Sequence, residues 1–156
     1  MIRGIIQSVI EGVIKRFTAA GRPDETFTNR EYFQHYGFTS RPLAGAEAII
    51  IKEGNNIIMV ASDDRRYRIA LENGEVALYT DEGDKIHLKR DGQIEITATA
   101  KVTITAPECI VNAVTSVTAT SPIITLIASE KVLAQTPLMR VEGDIEATGN
   151  ITEQVA

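Results

Sequence analysis

The chain has 156 residues and a net charge of −5. Its isoelectric point near 5.1 argues against nucleic acid as a main partner, because phosphate binding needs clustered Lys and Arg. Aromatics make up 5% of the residues and tryptophan is absent, so a large aromatic core is excluded, and the length holds one ordinary domain or two small ones. Cys109 is the only cysteine, which leaves no intrachain disulfide and no cysteine-based zinc site. No apolar run approaches the ~20 residues that a membrane-spanning helix needs. Glu11, Lys15 and Arg16 interrupt the apolar N-terminus where a signal peptide would run. The expectation is a soluble protein made in a cytoplasm.

Residues 2–17 place Ile2, Ile5, Ile6, Val9, Ile10, Val13, Ile14 and Phe17 at helical spacing. Gly4, Gly12 and the many β-branched residues oppose a lone helix. The stripe is therefore read either as packing on its own domain or as docking on a partner. In the second reading Ile5, Ile6, Val9, Ile10, Val13 and Ile14 are the docking residues. Residues 18–35 carry Gly21, Pro23 and Asp24 and read as a connector.

Short strand-like runs follow at residues 47–52, 57–61, 65–71, 75–80 and 85–90. Turns separate them at Glu53-Gly54-Asn55-Asn56, Ser62-Asp63-Asp64, Glu72-Asn73-Gly74 and Asp81-Glu82-Gly83-Asp84. Asn73-Gly74 is a strong hairpin signal. About five short strands in about 60 residues fit a small barrel of the oligonucleotide/oligosaccharide-binding (OB) type, so the sequence divides into an N-terminal segment and connector (1–31), a barrel (32–91) and a repeat region (92–156).

From residue 92 to 151 the chain falls into four rows of fifteen, with Gly92, Pro107, Pro122 and Pro137 each opening a row. The third position holds Ile94, Cys109, Ile124 and Met139, and the fifth holds Ile96, Val111, Leu126 and Val141. The seventh is small throughout (Ala98, Ala113, Ala128, Gly143). The eleventh holds Val102, Val117, Val132 and Ala147, and Ile104 opens the thirteenth column. Apolar residues on alternate positions, with Thr, Ser, Glu and Lys between them, describe strands with one buried face. The ninth position is not consistently apolar, which places a corner near positions eight to ten. A row of odd length would flip its buried face at each repeat, and proline, which cannot donate to a ladder, is suited to resetting that parity.

Such thin rows cannot bury their apolar faces alone. Three chains wound about one axis would bury them and leave few exposed strand edges. The predicted fold is thus mainly β: an OB-type barrel followed by a trimeric, intertwined triple-stranded β-helix. Its trimer core is formed by Ile94, Ile96, Val102, Ile104, Cys109, Val111, Val117, Ile124, Leu126, Val132, Met139 and Val141.

Little in the sequence suggests chemistry. His35 and His87 are the only histidines and lie in different segments, and no His-x-His, HExxH or calcium loop occurs. Asp63-Asp64-Arg65-Arg66 reads as a solvated charged turn. With no phosphate loop, nucleophile elbow or catalytic triad, the expectation is a protein with no catalytic residues, no metal and no cofactor.

Residues 32–48, 59–80 and 81–90 closely resemble the Mu-like phage baseplate assembly protein V family, the central spike of contractile tails. The resemblance rests on Tyr36-Gly37-Phe38-Thr39-Ser40-Arg41-Pro42, Gly45-Ala46-Glu47, Asp63-Asp64-Arg65-Arg66-Tyr67 and Gly74-Glu75-Val76-Ala77-Leu78-Tyr79. It implies a homotrimer in the virion tail, made in the bacterial host cytoplasm. Its barrels would cap the tail tube on the baseplate hub proteins, and its β-helix would breach the host outer membrane when the sheath contracts. Family members often end in an apex where a His-x-His motif binds iron. Residues 152–156 read Thr-Glu-Gln-Val-Ala instead, which leaves either a separate spike-tip protein docked on the end or a blunt spike, the first being the expectation.

Two other classes compete. A carbohydrate- or nucleic-acid-binding OB module on a trimeric stalk would call for exposed aromatics and a basic groove. A left-handed β-helix acyltransferase would need a six-residue period and a histidine beyond residue 87, and the sequence has neither.

Overall fold

Nine residues rich in isoleucine and valine, Ile2–Ile10, open the chain as an extended strand, β1. The computed structural model describes residues 1–149, so residues 152–156, on which the separate-tip expectation rests, lie outside. Strands β2 (Arg16–Ala20), β3 (Thr26–Tyr32), β4 (Glu47–Glu53) and β5 (Asn56–Asp63) join β1 in a closed barrel of order β1-β2-β3-β5-β4. All pairs are antiparallel except β3 with β5, which is parallel. Among the described residues no helix is long and apolar enough to cross a membrane.

The helical spacing expected over residues 2–17 is therefore corrected to a strand, and a β-bulge explains the deception. Ile6 pairs with Ala19 and Ser8 with Thr18, so Gln7 is an extra residue on β1. Without it, the inward positions Ile2, Gly4 and Ile6 would continue to Ser8; with it, the next inward residue is Val9. Ile2, Ile6 and Val9 are spaced by four and then three, the interval of a helix face. The inward glycine fits only because it lacks a side chain: a Cβ on Gly4 would sit 2.7 Å from the Ala20 carbonyl oxygen and 3.1 Å from Ile50 Cδ1.

Two more bulges bend the barrel. β3 carries an extra residue opposite β2 near Asn29, whose φ of 54° is one that Asn tolerates. That residue brings Phe27 and Tyr32, five apart, to the same interior. β5 carries an extra residue, Val60, between the partners of Ile49 and Ile50. The interior so formed is Ile2, Ile6, Val9, Phe17, Ala19, Phe27, Tyr32, Ala46, Ala48, Ile50 and Met59, one contiguous core. Alanine at 19, 46 and 48 leaves room for the large side chains of Phe17 and Met59 in a narrow barrel.

The barrel thus lies N-terminal to its expected position. It uses residues 2–63, including the stretch read as connector, and residues 65–71 form no strand. The last two expected barrel strands are instead β6 (Val76–Tyr79) and β7 (Lys85–Leu88), which pair with β8 (Ile94–Thr97) in a separate antiparallel sheet of order β6-β7-β8. Asn73-Gly74 makes a tight turn, closed by the Glu75 N–H donating to the Glu72 carbonyl (3.1 Å), rather than a hairpin. The β6–β7 hairpin turns at Gly83, with φ of 91°. A single 3-10 turn, Arg90–Gly92, leads into β8.

The chain divides into a first unit, Met1–Thr105, and a second beginning at Ala106. Residues 98–149 carry no strand and are exposed, and the triple-stranded β-helix is not formed by the single chain. Their bends nevertheless keep the fifteen-residue period. The backbone bends at residues 99–100, 114–115 and 129–130, positions eight and nine of the first three rows, and again at Pro107, Pro122 and Pro137. Side chains just before two of the prolines brace the bend. Thr136 Oγ1 donates to the Leu138 carbonyl at 2.9 Å, and Ser121 makes the equivalent bond to Ile123. The fourth row departs from the pattern, bending at 142–143.

Candidate functional site

Antiparallel register gives the second sheet two aliphatic rungs. Val76 pairs with Leu88, which pairs with Ile94; Leu78 pairs with Ile86, which pairs with Ile96. Side chains alternate across a sheet, so all six stand on one face, and all six are exposed. Cross-strand aliphatic neighbours of this kind stabilise a sheet modestly, but their outer surfaces remain in water. The second rung also lines a cleft of about 820 Å³ with Phe38, Pro42, Leu43 and Tyr67. Of the expected trimer core, the structure brings Ile94 and Ile96 to this face. Val76, Leu78, Ile86 and Leu88 were missed because their runs were assigned to the barrel, although the alternation in both runs already marked one aliphatic side.

The opposite face of the sheet is polar and internally satisfied. Glu75 accepts the N–H of Glu72 (3.1 Å) and the N–H of Arg90 (3.1 Å), and it lies 3.0 Å from His87 Nε2. Those two backbone bonds and then His87 hold the Glu75 carboxyl below the usual carboxylate range. Among the described residues His87 is the one polar residue in the buried set. Its partner is a glutamate twelve residues earlier, a context invisible in a search for metal or triad motifs. Glu95 bridges Lys85 at 2.9 Å and Lys89 at 3.4 Å. Its pKa is lowered to about 2 by the Lys85 bond first, then by bonds from Thr97 and Lys89.

The charged turn after β5 is paired within the chain. Arg66 forks onto Asp64 (2.8 and 2.6 Å) and also donates to the Ala44 carbonyl (3.0 Å). The Arg66 guanidinium holds the Asp64 carboxyl below its usual range. Arg68 bonds Asp63, and Arg65 reaches Glu47 at 3.2 Å. Gly45, at φ 93°, is where the Arg66 guanidinium passes closest, 3.0 Å from a would-be Cβ. Among the described residues no cluster of three His, Cys, Asp or Glu could hold a metal ion.

The N-terminal docking candidates separate. Ile6 (1% exposed) and Val9 (5%) are buried in the barrel's own core and are corrected to core residues, placed there by the β1 bulge. Ile5, Ile10, Val13 and Ile14 are exposed. The remaining trimer-core candidates, Val102, Ile104, Cys109, Val111, Val117, Ile124, Leu126, Val132, Met139 and Val141, are all exposed on the single chain.

A closed, OB-like five-stranded barrel, followed by a small antiparallel sheet and a regular repeat, makes this a mainly β protein. The match to known proteins falls on the barrel: residues 3–66 match the family described as Bacteriophage Mu Gp45, N-terminal. The chain is also 44% identical over 78 residues to the baseplate puncturing device gp45 of Escherichia phage Mu. That alignment covers 47% of this chain and 40% of that protein. Both matches liken part of this chain to phage Mu gp45, and the chain spans less than half the length of that relative. The family match extends the resemblance back through β1–β3, where no motif had been noted.

Proposed function

We propose that the chain is the central spike of a contractile-tail baseplate, a structural and non-enzymatic part of the virion tail made in the host cytoplasm. Three copies join into a homotrimer whose barrels sit on hub and tail-tube proteins. Ile5, Ile10, Val13 and Ile14 are the docking candidates that remain on the surface. The rows beyond residue 92 wind into a triple-stranded β-helix that breaches the host outer membrane when the sheath contracts.

The observation that carries this reading is the condition of the rows in a single chain. Their aliphatic columns, from Ile94 (69% exposed) to Met139 (72%), are left in water, and beyond Thr97, where β8 ends, the described backbone has no ladder partner. Burying one such side chain gains roughly 1.5–3 kcal/mol, and an extended backbone seeks paired N–H and C=O groups. Winding three copies together supplies both. The name of the Mu relative, a puncturing device, agrees with a rigid axial role. The nucleic-acid form of the binding-module reading fares worse, because four carboxylates, Asp63, Asp64, Asp81 and Asp84, outnumber Arg41 and Lys85 along the 820 Å³ cleft, a poor lining for phosphates.

Light scattering on the purified chain tests the reading. The expected particle is three times 17.0 kDa and resists mild heating in detergent, since separating intertwined chains requires unfolding them. A folded monomer would refute it.

A further inference from the structure

The second sheet is a folded surface whose first aliphatic rung, Val76-Leu88-Ile94, lies outside the cleft that Phe38, Pro42, Leu43 and Tyr67 line with the second. No barrel strand pairs with it, its polar face is closed by the Glu75–His87 and Lys85–Glu95 contacts, and its other face shows six aliphatic side chains and no charge. We infer that this face is the seed of the trimer: the same face on two further copies covers it, and assembly closes here before the rows wind. The inference rests on the trimeric reading above. It adds Val76, Leu78, Ile86 and Leu88 to the interface and gives assembly an order.

Three observations point to further copies of this chain as the occupant. First, Ile94 and Ile96 belong to both the sheet face and the third and fifth columns of the repeat. Whatever covers Cys109, Val111 and their successors therefore covers the same column one row earlier, and β6 and β7 widen that column into a face. Second, a surface that meets its own copy meets its own charges. Here each aliphatic rung meets an aliphatic rung, and the carboxylates of the cleft, Asp63, Asp64, Asp81 and Asp84, line it beside the second rung and not the first. Third, the sheet is already ordered by its ladders in the single chain, while residues 98–149 carry no strand. An ordered apolar face loses little conformational entropy on association, whereas unpaired rows lose much. The sheet is thus the cheaper place to begin, and once three chains are held there the rows order at high local concentration.

The test uses the full chain with Leu78→Glu and Leu88→Glu together. The expected result is a fall in mass from three times 17.0 kDa to 17.0 kDa, with the amides of Ile6, Phe17 and Ile50 still protected from hydrogen exchange in an intact barrel. An unchanged trimer overturns the inference and leaves the trimeric reading standing. A wild-type monomer removes that reading and the inference with it. A second variant guards against misfolding: Leu88→Cys in a Cys109→Ala background, oxidised, is expected to give a disulfide-linked pair of chains. If neither this variant nor the equivalent at Leu78 forms one, the face does not meet its copy and the inference is overturned.

Discussion

Two residues show how closely local chemistry constrains this chain. Gly4 points into the barrel where the Ala20 carbonyl passes 2.7 Å from its missing Cβ. That neighbour is backbone, so a methyl group there must push a strand aside. Gly4→Ala is expected to destabilise the barrel by about 1–3 kcal/mol, read as a lower urea midpoint with an unchanged m-value. Glu95 makes the sheet sensitive to acid. Its folded carboxyl takes up a proton near pH 2, against an ordinary value of 4.5. The stabilisation is therefore complete above about pH 4.5 and is lost as pH falls toward 2, because the unfolded chain binds the proton first. Glu95→Gln is expected to flatten the acid dependence of β7–β8 amide protection across that window, while leaving the barrel amides unaffected.

At the scale of the elements, β1 is the instructive case. Its inward residues were legible as an apolar set but not as a strand, because one bulge residue, Gln7, converts a period of two into intervals of four and three. Nothing in Ile-Ile-Gln-Ser-Val announces that bulge; only pairing with β2 does. The consequence is testable with two adjacent substitutions. Val9→Asp buries a carboxylate among Phe17 and its neighbours and should cost at least about 3 kcal/mol in urea unfolding. Ile10→Asp, on the outer side of the same strand, should cost well under 1 kcal/mol. A helix docked by its Ile/Val stripe would penalise both. The β4–β5 turn at Glu53-Gly54-Asn55-Asn56 and the row corners at positions eight and nine were legible, since turn residues and row periodicity act locally. The barrel's extent was not: β6 and β7 have the same alternation as barrel strands, and only their long-range partners distinguish them. The aliphatic face they form was hidden for the same reason.

For the whole molecule, the order of its parts matters more than any one contact. A closed barrel of residues 2–63 has no free edge, so it can stand as a finished base while the rest of the chain is still looking for partners. The β6-β7-β8 sheet comes next, polar contacts closed on one side and aliphatic on the other. Beyond it the rows hold their bends, but among the described residues they have no strand partners. Barrel, sheet and rows form a gradient of self-sufficiency along the chain, matched by a proposed gradient of dependence on the other copies. Heating the assembled particle should then give at least two transitions by calorimetry. The rows and sheet would melt in a concentration-dependent step and the barrel in a separate one. A single concentration-independent transition would contradict that division.

Two bends, one at the proline and one at positions eight and nine, mark out the second and third rows. In the proposed winding, Pro107, Pro122 and Pro137 restore the same facing every fifteen residues, so that a row is an interchangeable unit of length. A duplicated or deleted row leaves the columns in phase at both joins, whereas a single-residue insertion inverts every side chain up to the next proline. Reach is therefore adjustable in whole steps without redesigning either the base or the seam. Within such a chain, the length of the shaft and the identity of what it stands on can change independently of each other.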